Sequence, residues 1–210
     1  EKYLTDNLAI DITFDLVLKE ELLRAELISA PLTILILLFV FGTVVSASLP
    51  ALSGIYTVIA AVGIIHGLTY VVDDLTVYAV NIVSLLGIGL SVDYSLFIVN
   101  RFREELGRGH DKRTAIAMTS ATAGRAILFS GLTVIAGLTG MLFFENTGLP
   151  SLGWGGICAT LVALTSSVIL LPSILAILGD RINSGRVPLG LSTEVADCLL
   201  YTSPSPRDTG

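Results

Sequence analysis

Long runs of residues with almost no charged side chains dominate this chain and restrict what it can fold into. Five of them occupy residues 31–49, 52–72, 77–100, 126–144 and 151–178. Each is about long enough to cross a hydrocarbon core of roughly 30 Å as a helix that rises about 1.5 Å per residue. Charged residues make up 14% of the chain, whereas soluble domains average about 25%. The predicted fold class is therefore all-α, a polytopic transmembrane helix bundle of five spans.

The charged residues between the runs predict how the spans are oriented. Basic side chains concentrate in residues 101–125 and again after residue 179, whereas the turns that follow the second and fourth runs carry acidic side chains only. An excess of Lys and Arg marks cytoplasmic segments. We therefore expect these two basic segments to be cytoplasmic and residues 1–30 to be extracytoplasmic. The short turn around Pro50, between the first two spans, is then cytoplasmic as well.

The segments outside the five runs carry their own expectations. Residues 1–30 are acidic and amphipathic, which predicts a helix that leaves a water-exposed domain and continues into the membrane as part of a long first helix, residues 16–49. Residues 110–125 are moderately apolar and predict an interfacial helix on the cytoplasmic face, with a solvated loop as the alternative. Residues 187–210 resemble translated adapter sequence, so we expect a disordered or non-native tail. Because the chain begins without methionine, we expect a fragment of a longer protein.

The composition also limits the chemistry. The chain has no basic patch with interleaved aromatic residues, which argues against a nucleic-acid partner. Its two cysteines, Cys158 and Cys198, form neither a metal-binding spacing nor a disulfide framework. We therefore expect no metal and no cofactor.

The third run is interrupted by two polar residues, Asp93 and Tyr94. A carboxyl group inside a membrane helix costs roughly 2.5 to 3.5 kcal/mol on insertion scales, and such residues often mark ion pathways or proton relays. The small residues Gly87, Gly89 and Ser91 would let a neighbouring helix approach closely, so we expect this helix to pack inside a bundle with Asp93 buried. A buried carboxyl can take up and release protons near neutral pH. The alternative is a permanently paired residue that only fixes helix packing.

Two hydroxyl side chains of the fourth run, Ser130 and Thr133, are expected at a depth similar to that of Asp93. Either could contact the carboxyl, although for Thr133 a hydrogen bond to the preceding helical turn is an equal alternative. An intramembrane aspartyl protease would need a second aspartate within a span and a glycine at position 91, where the chain has serine. The sequence therefore does not indicate an enzyme.

Three segments resemble one known family. The stretches LSVDYSLFIVNRFREEL, TAGRAILFSGLTVIAG and LLPSILAILGDRIN are similar to those of the MMPL (mycobacterial membrane protein large) family in the resistance-nodulation-division superfamily. The resemblance implies that the spans correspond to the second to sixth helices of an N-terminal half, preceded by an extracytoplasmic porter domain. It also implies that Asp93 and Tyr94 are the proton-relay pair of the fourth helix, that Ser130 is the neighbouring hydroxyl, and that a second half supplies a matching Asp-Tyr pair.

The function that the resemblance implies is export of lipids or other hydrophobic or amphiphilic molecules across the bacterial cytoplasmic membrane, driven by the proton-motive force. Protons would be the coupling ion, and membrane lipids and a lipidic substrate the partners. A lipid- or sterol-sensing protein, or a protein-translocation accessory of the same superfamily, is the alternative. The sequence does not name the substrate.

Overall fold

The computed structural model describes residues 21, 24, 25, 27–71, 77–144 and 148–183. The predicted tail 187–210 and most of the predicted extracytoplasmic segment 1–30 lie outside these residues. The chain divides into two compact units, one of residues 1–40 with 189–210 and one of residues 41–188. The described part is all-helical, with no sheet, which confirms the predicted fold class at that level.

Four helical segments are long and apolar enough to cross a membrane. They begin and end at Val44–Leu68, Ala79–Gly107, Lys112–Phe143 and Leu149–Leu178. We call the first α2, and the second belongs to α3, which extends over Val77–Gly107. The third consists of α4 (Lys112–Thr119), a π-helical turn (Ser120–Gly124), α5 (Arg125–Thr139) and a 3₁₀ turn (Gly140–Phe143). The fourth consists of α6 (Leu149–Thr165), a π-helical turn (Ser166–Leu170) and α7 (Leu171–Leu178), and a 3₁₀ turn, Gly179–Asn183, follows it.

The first predicted span differs from the structure. The helix that the structure places there, α1, covers Leu27–Phe41. Glu21, Arg24 and Ala25 are helical as well, so these 15 residues do not give the length of the whole helix. Four of the five predicted spans correspond to membrane-length helices among the described residues, and the first stays a prediction.

The break between α1 and α2 is not at Pro50, and this prediction was wrong. Pro50 lies inside α2, whereas the chain leaves the helical conformation at Gly42, whose φ is 64°, and at the extended residue Thr43. Glycine adopts a positive φ without the steric cost that a Cβ imposes. A proline inside a membrane helix is tolerated because neighbouring helices accommodate it. The continuous helix predicted over residues 16–49 is therefore interrupted at residues 42 and 43.

The core of the second unit forms where α3 packs against α2 and α6. The residues of α3 that are buried there recur at intervals of three and four, as one face of a helix requires. They include Val83, Gly87, Ser91, Tyr94, Ile98, Phe102 and Glu105, and Ala79, Ser95 and Val99 are buried beside them. Close approach depends on glycines that open α6, since a Cβ added at Gly155 would lie 2.5 Å from the backbone oxygen of Ala79.

The helix α5 lies at the edge of this core. It packs mainly on α6, and only 11% of the most apolar window of Lys112–Phe143 is buried, against 39–44% for the other three spans. The structure does have a helix, α4, within the segment predicted as interfacial, and its position at the membrane surface stays a prediction. Asp111 directly precedes α4, and a hydrogen bond with the side chain of Thr114 lowers the pKa of its carboxyl group.

Three segments that the charge pattern assigns to the cytoplasm meet at one end of the second unit. Arg103 near the end of α3 donates a 2.8 Å hydrogen bond from Nη1 to the backbone oxygen of Phe41, and its guanidinium lies over the Phe41 ring at 5.8 Å. Ser46 at the start of α2 donates to the backbone oxygen of Ile182 at 2.9 Å. The structure thus places the α1–α2 break, the basic end of α3 and residues 179–183 at the same end of the second unit, and the side of the membrane that this end faces stays a prediction.

Candidate functional site

Asp93 occupies the middle of α3. It lies 16 residues after Val77 and 14 before Gly107, or about 24 and 21 Å from the two ends at the rise of an α-helix. Its side chain is exposed, on the face of α3 opposite the packed face. The prediction that Asp93 is buried is wrong for this chain taken alone, because the helices that pack on α3 contact its other side.

The exposed face of α3 is a continuous apolar stripe around this carboxyl. Gly89 lies one turn before Asp93 and Phe97 one turn after it, and Leu85 continues the stripe. Asp93 forms no hydrogen bond or ion pair with any residue that the structure describes. The alternative of a carboxyl permanently paired with a cation therefore has no support from the described residues.

Tyr94 faces another direction. Successive residues of an α-helix are about 100° apart, so Tyr94 lies on the packed face and only 6% of it is exposed. Its hydroxyl is buried and has no hydrogen-bond partner among the described residues. The two members of the predicted relay pair are thus neighbours in sequence but point to different surroundings in this chain.

The predicted hydroxyls of α5 are not brought against Asp93. Ser130 is exposed, and neither it nor Asp93 has a partner in the described part of the chain. Thr133 donates a 2.9 Å hydrogen bond to the backbone oxygen of Phe129 one turn earlier, which is the alternative that the sequence left open. The role of Ser130 beside the carboxyl stays a prediction.

The three small residues predicted to pack near the site divide between the two faces of α3. Gly87 is buried, and a Cβ added there would lie 3.4 Å from Thr57 Cγ2 of α2. Ser91 is buried and hydrogen-bonded. Gly89 is exposed on the Asp93 face, and a Cβ added there would meet nothing within 4 Å, so within the described residues it does not bring a neighbouring helix close.

A cluster of buried hydroxyls lies on the packed face, and sequence analysis missed it. We call it the hydroxyl cluster; its members are Ser53 and Thr57 of α2, Ser91 of α3 and Ser166 of the second π-helical turn. Ser53 Oγ lies 2.8 Å from Ser91 Oγ and 3.0 Å from Ser166 Oγ, and Thr57 donates to Ser91 at 3.0 Å. The available signal was hydroxyl residues in three separate apolar runs, with Ser53 and Thr57 one helical turn apart.

The two glutamates at the end of α3 differ in exposure. The side chain of Glu104 is 48% exposed, whereas Glu105 has 0% of its side chain exposed. Arg101 and Arg108 both pair with it, the latter by a 2.8 Å bond to Oε1. His110 Nδ1 lies 2.8 Å from Oε2. This corner is a buried carboxylate held by cations, which fixes the end of the helix.

The described residues contain no group of three or more His, Cys, Asp or Glu side chains arranged to hold a metal ion. What the site offers chemically is one carboxyl at the centre of a membrane-length helix. A carboxyl in that position can carry a proton, since protonation removes the charge that makes its apolar surroundings unfavourable.

Comparison with known proteins gives the family. The model of the MMPL family matches residues 10–187. The chain is 38% identical over 161 residues to the trehalose monomycolate exporter MmpL3 of Mycobacterium tuberculosis (strain H37Rv), a match that covers 77% of this chain and 17% of that protein. It is 40% identical over 161 residues to the mycolic acid-containing lipids exporter MmpL11 of Mycolicibacterium smegmatis, with the same coverage. It is 37% identical over 158 residues to the heme uptake protein MmpL11 of Mycobacterium tuberculosis (strain CDC 1551), covering 75% of this chain and 16% of that protein.

The chain spans about a sixth of the length of these relatives. The match nevertheless includes every span that the structure describes and the whole of α3 with Asp93. The extent of the family match and the level of identity show that this chain belongs to the MMPL family.

Proposed function

We propose that this chain is part of a transporter that uses the proton-motive force to export lipids or other hydrophobic or amphiphilic molecules across the cytoplasmic membrane. Membership of the MMPL family supports this proposal, as do two relatives whose names describe lipid exporters. The observation that carries it is the position of Asp93 at the centre of α3, on a face that the described helices leave uncovered. Another relative is named for heme uptake, so the substrate class is proposed only as hydrophobic or amphiphilic.

The uncovered face supports a second element of the proposal. A carboxylate that faces lipid at the middle of a span is unfavourable by roughly 2.5 to 3.5 kcal/mol on insertion scales. Protein outside the described residues would remove that cost if it covered Asp93 and supplied polar partners. We propose that a second, homologous half with its own Asp-Tyr pair covers this stripe, and that Ser130 on the exposed surface of α5 faces the same partner.

Protonation of Asp93 would then change how the two halves fit together. Loss of the negative charge removes the need for a polar partner, so helices can shift across the stripe formed by Leu85, Gly89 and Phe97. The driving force is adequate, because one elementary charge that crosses 100 mV releases about 2.3 kcal/mol. In this scheme the side chain of Asp93 alternates between a paired carboxylate and a neutral acid.

The test is substitution of Asp93 by Asn in the intact protein. Asn keeps the shape of the side chain and cannot take up a proton, so we expect loss of pH-gradient-driven lipid export in proteoliposomes with unchanged expression and thermal stability. Glu104→Gln is the matched control, because it removes an exposed carboxylate from the same helix and should leave export intact. Export that persists in Asp93→Asn at the level of the control would refute the relay role.

A further inference from the structure

The hydroxyl cluster has more hydrogen-bond donors than bonds. Its four hydroxyl groups carry four protons, and three hydrogen bonds join them. Two of these bonds can run in either direction, but in every arrangement one proton remains without an acceptor inside the cluster. The cluster therefore has an unused donor that is shielded from bulk solvent.

Two further serines beside the cluster are buried and have no hydrogen-bond partner in the described chain. Ser95 lies one helical turn after Ser91 on α3, and Ser167 follows Ser166 directly; both are fully buried. Residues one helical turn apart have Cβ atoms about 5 to 6 Å from each other. That separation is what a single water molecule bridges with two hydrogen bonds.

These two serines depart from the usual behaviour of hydroxyls in helices. A hydroxyl in a helix commonly donates to the backbone oxygen four residues earlier. Seven residues of this chain's spans do so, at 2.7 to 2.9 Å: Thr119, Thr122, Thr133, Thr139, Thr160, Thr165 and Ser173. Ser95 and Ser167 do not, although such an acceptor lies on their own helix, which leaves their hydroxyls free for another partner.

The local backbone favours this arrangement. Pro172 lacks the N–H group that would continue the helical hydrogen bonds, and the preceding residues adopt a π-helical turn, Ser166–Leu170. The wider turn reduces the angle between successive side chains, so Ser166 and Ser167 are both buried in the same interface. A partly open cavity of about 180 Å³ between α2 and α7 is lined mainly by apolar side chains, and Ser53 and Ser166 of the cluster also border it. Water beside these two hydroxyls has room there, since one molecule occupies about 30 Å³ in the liquid.

We propose that the hydroxyl cluster, together with Ser95, Ser167 and the hydroxyl of Tyr94, is a water-binding site inside the membrane domain. Buried polar groups without protein partners are normally satisfied by ordered water.

Radiolytic hydroxyl-radical footprinting of the intact protein in nanodiscs tests the site without any transport assay. Radicals formed from bound water oxidise adjacent side chains, so Tyr94 should be labelled much faster than Phe102, which is buried on the same face of α3, after correction for intrinsic reactivity. Ser95→Ala and Ser167→Ala should reduce the labelling of Tyr94 several-fold, whereas Ser173→Ala, an exposed serine already bonded to its own helix, should not. Labelling of Tyr94 as slow as that of Phe102 would overturn the water site.

Discussion

Gly155 sets how closely α6 approaches α3. A methyl group added there would lie 2.5 Å from the backbone oxygen of Ala79 and 2.5 Å from Cγ2 of Ile82, whereas ordinary van der Waals contact begins at 3.4 Å. The shortfall is about 0.9 Å, and one of the two obstacles is backbone, which cannot rotate away. Overpacking of a well-packed interior costs about 1 to 3 kcal/mol. We therefore expect Gly155→Ala to lower the free energy of unfolding by about 3 kcal/mol, at the upper end of this range. That loss changes the unfolding equilibrium constant about a hundredfold.

The assay is SDS-induced unfolding of the intact protein in mixed micelles, with Gly137→Ala as the matched control. A methyl group added at Gly137 of α5 would meet nothing within 4 Å, so this change should be neutral or raise the free energy of unfolding by up to about 1 kcal/mol through helix propensity. Both variants make the same chemical change in a helix. The difference between their free energies of unfolding therefore measures the cost of the steric clash at position 155. Gly156→Ala should fall between them, because its nearest neighbours are methyl groups of Leu138 that can move. Equal stability of Gly155→Ala and Gly137→Ala would refute the close approach of α6 to α3.

Two further predictions concern the end of α3. Arg103→Ala removes a charged hydrogen bond to the backbone oxygen of Phe41 and a cation–π contact, so it should lower the free energy of unfolding by about 2 kcal/mol. In cysteine-accessibility measurements the α1–α2 break should then be more exposed, and unchanged accessibility would contradict the contact. Glu105→Gln removes a fully buried carboxylate that pairs with Arg101 and Arg108, so it should lower the free energy of unfolding by about 2 to 3 kcal/mol, measured by the same SDS titration. Glu104→Gln, at a side chain 48% exposed, should cost under about 1 kcal/mol, and equal losses would show that Glu105 is not buried.

Much of the architecture could be predicted from sequence because it follows from composition and length. Uncharged runs of about 20 residues have few options other than membrane helices, and four of the five predicted runs correspond to such helices. The first run shows where run length misleads about helix boundaries. The run 31–49 contains Gly42, and a single residue with positive φ divides it, whereas Pro50, the expected breaker, is accommodated inside α2.

The polar residues were harder to place, because burial depends on which neighbours a helix face meets. Asp93 and Tyr94 are adjacent in sequence, yet one is exposed and the other buried. Glu104 and Glu105 divide in the same way. Apolar residues surround the packed and the unpacked face of α3 alike, so periodicity alone could not distinguish the face that contacts α2 and α6 from the face that contacts neither.

The sequence by itself determined that this chain forms membrane-length helices with one carboxyl inside the third run, since a hydrocarbon core leaves an apolar chain little alternative. Tertiary structure alone decided which side of α3 is packed, which hydroxyls meet across three helices, and that Asp93 faces away from all of them. The physical reason is that close helix packing requires glycine and hydroxyl residues from distant parts of the chain to coincide in space, and no local pattern encodes that coincidence.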